Sequence, residues 1–335
     1  MFVGSILQVT LQFADCTTFR YSPTMNDSPH PLAADAGLVG LAAIWGVNFS
    51  VVKIVFRELD PLALNALRFP LAAAVFWLVL RPRRGPRGPE RRDVPRILLL
   101  AAIGHVVYQI CFVVGLDRTL AGNASLLLAT SPAWTVALSA LAGHEQPHPR
   151  VLAGIACTIL GIMLVVLGGG NGAGLDPATA RGDLLMLLAS LLWAAFTVWG
   201  RAPVARYGPL RITAWTLWAA TPALVLLGVP SLARTDLAGV SAGTWLGVVY
   251  AGVMAVAVAY VLWYRGVQIL GNSRTAVYAN LVPVAALASA WLWLGEAPGP
   301  LQLAGAAVIL GGVTVSRTGQ SPAPSSFRWR SSGNS

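Results

Sequence analysis

The chain has 335 residues, of which 56% are hydrophobic and only 11% charged, with a formal net charge of +10 and a mean hydropathy of +0.67. This composition excludes an ordinary soluble domain, and apolar stretches of roughly twenty residues match a hydrocarbon core about 30 Å thick. The positive balance does not indicate nucleic acid, because the arginines are spread over short segments between apolar runs and form no single basic stripe. Three widely spaced cysteines, Cys16, Cys111 and Cys157, suit neither a disulfide framework nor a metal site.

In chain order, residues 1–13 are moderately apolar but lack a basic flank, and residues 15–31 are polar, so neither a signal peptide nor a membrane span is expected there. Residues 1–33 read as a disordered tail, with Met25 as an alternative start. Apolar runs bounded by Arg, Pro, Gly and Asp then predict ten helices at 36–56, 62–80, 97–116, 120–142, 151–168, 182–200, 212–229, 244–264, 272–294 and 301–316. A basic, Ser/Pro/Gly-rich tail occupies 317–335.

The runs repeat. Gly115, Pro132, Glu145, Leu152, Ala153, Gly154 and Gly161 recur 151 positions later as Gly266, Pro283, Glu296, Leu303, Ala304, Gly305 and Gly312. Upstream the offset is 148, relating Trp45, Pro61 and Leu62 to Trp193, Pro209 and Leu210. Two five-helix units follow, 34–168 and 182–316, with a linker at 169–181. Five is odd, so the second unit enters the membrane from the opposite face. The predicted fold is an all-α integral membrane protein with ten transmembrane helices in two inverted five-helix repeats. With the N-terminus inside, 17 Arg residues fall on inner segments against five Lys and Arg outside (Lys53, Arg57, Arg118, Arg181, Arg234), which puts both termini in the cytoplasm.

Charge inside a bilayer is costly and marks function by default. All 13 acidic residues are expected in tails, loops or span ends, leaving Arg68 and His105 in the membrane interior. The planar fork of Arg68 suits a carboxylate, or else it snorkels or bonds neighbouring carbonyls. His105 has the titration range of a proton relay, or is a neutral packing residue. A solute pocket needs apolar walls with a few placed polar groups. Trp45, Asn48 and Ser50, Tyr108, Asn123, Ser125 and Thr130, Trp193 and Thr197, Tyr260 and Trp263, and Tyr278 and Asn280 supply that mixture. Trp77, Trp245, Trp291 and Trp293, near span ends, read as interface anchors.

Pro132 and Pro283 fall midway along the fourth and ninth spans as hinge or cavity-shaping positions, or as simple kinks. Glu145 and Glu296 precede a proline and the next span, whose free N–H groups they are expected to bond. Gly154/Gly161 and Gly305/Gly312 recur at seven residues on one helix face, suited to close helix contact or to a homodimer.

The stretches AAIWGVNFSVVK at 42–53, LDPLALNALR at 59–68, VGLDRTLAGNASLLLATSPAWTVALSALAGHE at 114–145, GDLLMLLASLLWAAFTV at 182–198 and AVYANLVPVAALASAWLWLGE at 276–296 resemble, in order and in both halves, the EamA-type permeases of the drug/metabolite transporter superfamily. The resemblance spans 36 to about 317 and implies an inner-membrane permease for small organic solutes, often exporting amino acids or related metabolites. The four-helix multidrug pumps of that superfamily use a glutamate in their first helix, which this chain lacks. The expected partners are a small-molecule substrate and the lipid bilayer. No cofactor, metal or nucleic acid is expected, and the absence of HExxH, DxD and GxSxG motifs argues against an intramembrane enzyme. Efflux of drugs or other hydrophobic compounds is the alternative. Few interior positive charges disfavour sugar-phosphate cargo and favour a small zwitterion or weakly charged metabolite.

Overall fold

Proline sets where most of the helices start. Runs begin at Pro31, Pro61, Pro149, Pro177, Pro209 and Pro300, first-turn positions where the missing N–H has no helical partner to lose. The computed structural model describes residues 31–81, 86, 88–142, 149–168 and 177–318, and every regular element among them is helical. The tail at 1–30, most of the linker, Glu145 and residues 319–335 lie outside the described residues.

We label the helices α1 (Pro31–Val55), α2 (Pro61–Leu80), α3 (Arg91–Asp117), α4 (Ala121–Leu141), α5 (Pro149–Gly168), α6 (Pro177–Tyr207), α7 (Pro209–Leu232), α8 (242–278), α9 (Leu281–Leu294) and α10 (Pro300–Thr318). Among the described residues seven, α1 to α4 and α6 to α8, are long and apolar enough to cross a membrane, and α5, α9 and α10 carry shorter apolar stretches. Leu141, Leu184, Leu226, Leu246 and Leu292 are exposed on the outer surface, an apolar girdle that suits lipid and not water. Trp77, Trp291 and Trp293 are exposed there too, while Trp245 packs partly buried against the core.

Three boundaries depart from the sequence reading. α6 extends through Arg201, Pro203 and Arg206 to Tyr207, since polar residues end a membrane span without ending a helix. α8 runs on to Tyr278 without the expected break near 264–272, and the interruption falls at Ala279–Asn280, directly before α9. α4 is interrupted at Ala129–Thr130. Pro132 and Pro283 therefore sit just after interruptions, where the nitrogen that cannot donate does least damage.

α3 and α8 each contain a π-helical segment, Ala102–Val107 and Tyr250–Val258. The segments start 148 positions apart and end 151 apart, so the three residues by which the repeat offset grows are absorbed inside the wider turns of α8. Gly104 and Gly252 lie within them at matching places. An added Cβ would fall 2.2 Å from Phe196 Cδ2 in the first case and 2.7 Å from the Arg68 carbonyl oxygen in the second.

Helix α1 packs against α8 and α9, α6 against α3 and α4, α2 against α7 and α8, and α7 against α3. α5 pairs with α10. There the glycine faces meet each other: a Cβ on Gly161 would lie 2.8 Å from Ile309 N, and one on Gly305 2.9 Å from Gly161 O. The close helix contact suggested by the glycine spacing is made within the chain, between α5 and α10.

Candidate substrate site

Half-buried aromatic side chains from four helices meet between the two sequence halves. Trp45 of α1 lies with its ring centre 6.1 Å from Tyr260 and 5.8 Å from Trp263, both of α8. Trp193 of α6 is 6.1 Å from Tyr260 and 5.4 Å from Tyr108 of α3. The indole N–H of Trp45 donates to the Ala255 carbonyl at 2.9 Å, inside the π segment of α8, where regular helix bonding is interrupted. Phe76, Phe196 and Tyr264 extend the cluster. Such rings give broad apolar contact area with polar edges.

Phe112 stacks on Tyr108, with centroids 6.1 Å apart, and carries the Arg68 guanidinium 5.8 Å from its ring centre. Arg68 is 2% exposed. Its Nε donates to Asn65 Oδ1 at 3.0 Å and its Nη2 to Gln109 Oε1 at 2.7 Å. It does not snorkel; it is held by two neutral amides and two aromatic faces, those of Phe69 and Phe112. Asn48, three residues past Trp45, is 7% exposed and its Oδ1 has no hydrogen-bond partner among the described residues. A buried acceptor left unmet costs about 1–3 kcal/mol.

The other candidates lie elsewhere. Asn123 accepts from Gln302 Nε2 at 2.5 Å, Ser125 donates to the Gly122 carbonyl, and Thr130 pairs with Ser190 at 2.9 Å, all in the α4, α6 and α10 packing. Ser50 pairs with Ser289, and the Thr197 hydroxyl returns to the Trp193 carbonyl. Tyr278 donates to Asp35 Oδ1 at 2.7 Å, and half-buried Asn280 sits in the interruption before α9 without bonding that helix's N–H groups. Bonds to carbonyls and neighbouring hydroxyls engage Ser50, Ser125, Thr130 and Thr197 in helix packing, while Asn123 Nδ2 has no partner among the described residues. His105 faces Thr216 at 3.0 Å, and since the Thr216 hydroxyl is 2.8 Å from the Ile212 carbonyl it is placed to accept from the imidazole N–H.

Two acidic residues at span ends are held in ways the sequence does not indicate. Asp183 is 2% exposed and bonded by the Thr119 hydroxyl. The helix starts earlier than hydropathy indicates, at Pro177, which draws this carboxylate inside the packed bundle. Glu296 does not bond the helix that follows it. It accepts from Ala121 N at 2.7 Å, at the start of α4, and from Lys53 Nζ at 3.3 Å, while Lys53 also donates to the Thr119 carbonyl. The corner after α9 folds back over α4, so the free N–H groups nearest in space belong to another helix. Among the described residues no cluster of His, Cys, Asp and Glu is arranged to hold a metal ion, and Cys111 and Cys157 are free thiols.

A helical chain with an apolar surface, an aromatic cluster joining its halves and a buried arginine at the edge of that cluster has the architecture of a membrane transport protein. The profile of the EamA-like transporter family matches residues 32–167 and again 180–318, and the chain belongs to that family. It is similar to an uncharacterized transporter of Archaeoglobus fulgidus, 30% identical over 88% of this chain and 99% of that protein. It is 29% identical to a probable terminal-alkyne amino-acid exporter of Streptantibioticus cattleyicolor, over 83% of this chain and 91% of the relative. A probable amino-acid metabolite efflux pump of Escherichia coli is 29% identical over 87% and 94%. A solved crystal structure superposes with a TM-score of 0.60 at 21% identity, covering 85% of this chain and 96% of that one, and so has the same fold. The chain is therefore a multi-pass membrane transporter; its family is one of transporters and not of enzymes.

Proposed function

We propose that the protein is an inner-membrane permease that exports small organic metabolites, amino acids or related compounds, by alternating access between two inverted repeats, 34–168 and 182–316. In this reading α5, α9 and α10 also span, giving ten helices with both termini cytoplasmic, as the arginine distribution favours. Support for the two-fold relation comes from the packing. Exchanging the halves turns the α1 contacts with α8 and α9 into the α6 contacts with α3 and α4, and maps α2–α7 and α5–α10 onto themselves.

The observation that carries the reading is the aromatic cluster with Arg68 at its edge, built from both halves. Trp45, Tyr108, Trp193, Tyr260 and Trp263 form its walls, Arg68 grips a carboxylate, and Asn48 offers an unmet acceptor. Asn123, Ser125, Thr130, Tyr278 and Asn280 are better assigned to packing, and the interruptions before Pro132 and Pro283 act as hinges. The names of the relatives favour amino-acid metabolites. Flux from proteoliposomes loaded with mixed amino acids tests the proposal: selective efflux lost in a folded Arg68→Ala variant is expected, and no flux of any solute overturns it.

A further inference from the structure

The partners of Arg68 are unusual for a buried cation. An arginine offers five N–H donors in a fixed fork, and here two are spent on Asn65 Oδ1 and Gln109 Oε1, both uncharged. No carboxylate pairs with Arg68 among the described residues. Lys53 and Glu296 neutralise each other at the far end of α1, and Asp183 of α6 is engaged by the Thr119 hydroxyl from the turn before α4. A buried ion without a counter-charge is costly, and Phe69 and Phe112 offset only part of that through their ring faces. Gln109 stands where a glutamate of the same shape would complete a salt bridge.

Resting on the permease reading above, we infer that Gln109 is a specificity-determining residue: by staying neutral it leaves the Arg68 charge for the solute, so the site selects compounds bearing a carboxylate and rejects their carboxyl-less amine counterparts. The remaining guanidinium donors receive the carboxylate bidentately. The aromatic cluster, reached from Arg68 through Phe112 and Tyr108, takes the apolar part. A permanently cationic hydrophobic compound meets like charge at Arg68 and is disfavoured.

The test uses the purified full chain with leucine and phenylalanine, their deaminated acids (isocaproate and 3-phenylpropionate), and their decarboxylated amines (isopentylamine and phenethylamine). Thermal midpoint in detergent and competition for efflux are both measured. In wild type the acids and amino acids stabilise and compete, whereas the amines do not. Gln109→Glu, which keeps the shape and the hydrogen bond, lowers the carboxylate preference about tenfold or more. Gln109→Leu, which breaks the hydrogen bond and adds no charge, keeps the preference. A packing role for Gln109 predicts the reverse, with Glu tolerated and Leu harmful. Equal response to acids and amines, no response to either, or an unchanged preference in Gln109→Glu overturns the inference. Efflux without carboxylate preference sinks only this inference, while carboxylate-dependent stabilisation without any efflux sinks the permease reading and leaves the specificity assignment intact.

Discussion

The two ends of the molecule solve one structural problem with opposite chemistry. At the end holding Glu58, the corner between α1 and α2 is tied to the start of α8: Glu58 accepts from Ser241 N and Ser241 Oγ, each at 2.7 Å. At the other end the corner between α6 and α7 is tied to the start of α3. Arg206 donates to Asp93 at 3.0 Å and to Glu90, and Tyr207 donates to Asp93 at 2.5 Å. Glu58 and Arg206 are 148 positions apart, as are Asp93 and Ser241. The position of the tie repeats while its charges do not: one is a carboxylate on a helix cap, the other an ion-pair cluster. What the repetition preserves is which corner meets which helix start, and side-chain chemistry adapts to the face it finds.

The largest expected effect tests the matched glycines of the π segments. Gly252→Ala drives a methyl into the Arg68 backbone, which cannot step aside, and costs on the order of 1–3 kcal/mol. Gly104→Ala meets only the Phe196 ring, which can rotate away, so its loss of thermal midpoint in detergent is the smaller. Equal losses would mean the two sites are equally rigid and would erase the distinction. Next come the ties. Ser241→Ala removes the cap of α8, whose Oγ accepts from Thr244 N, and costs about 1 kcal/mol. Arg206→Ala, at a partly exposed pair, costs about 1 kcal/mol or less. The two separate in salt: between 0.1 and 1 M the Arg206→Ala loss shrinks through screening, while the contribution of the neutral Ser241 cap persists.

The smallest effect is a pH dependence at Glu58. The Ser241 N–H and hydroxyl donors hold its carboxyl below the ordinary value of 4.5. A depressed folded-state value stabilises above the unfolded value and is lost as pH falls through the folded one. The midpoint gap between wild type and Glu58→Gln is therefore constant near neutrality and closes below pH about 4.5. A gap that widens in acid would reverse the assignment.

Much of this was legible in the residues. Apolar run length located the helices, and the repeat located Trp45 and Trp193, which the structure joins through Tyr260. Asn65 and Gln109 were not legible as partners of Arg68. A neutral amide on a buried face carries no signal by itself, and its pairing with Arg68 depends on two helices lying side by side. Phe112 was invisible for a related reason, since one phenylalanine among many apolar residues says nothing of the cation above it. Glu296 shows the limit from the other side: helix-start bonding was the right chemistry, but only the folded corner reveals that α4 receives it.

The π segments have a mechanical consequence. Each lies between a tied helix start, at Asp93 or Ser241, and the aromatic residues farther along, Tyr108 on α3 or Tyr260 and Trp263 on α8. One residue of helix is about 100° of rotation. A π turn that gains or loses a residue therefore swivels these aromatic side chains about the helix axis while the anchored end stays still, like a slipping joint in a driveshaft.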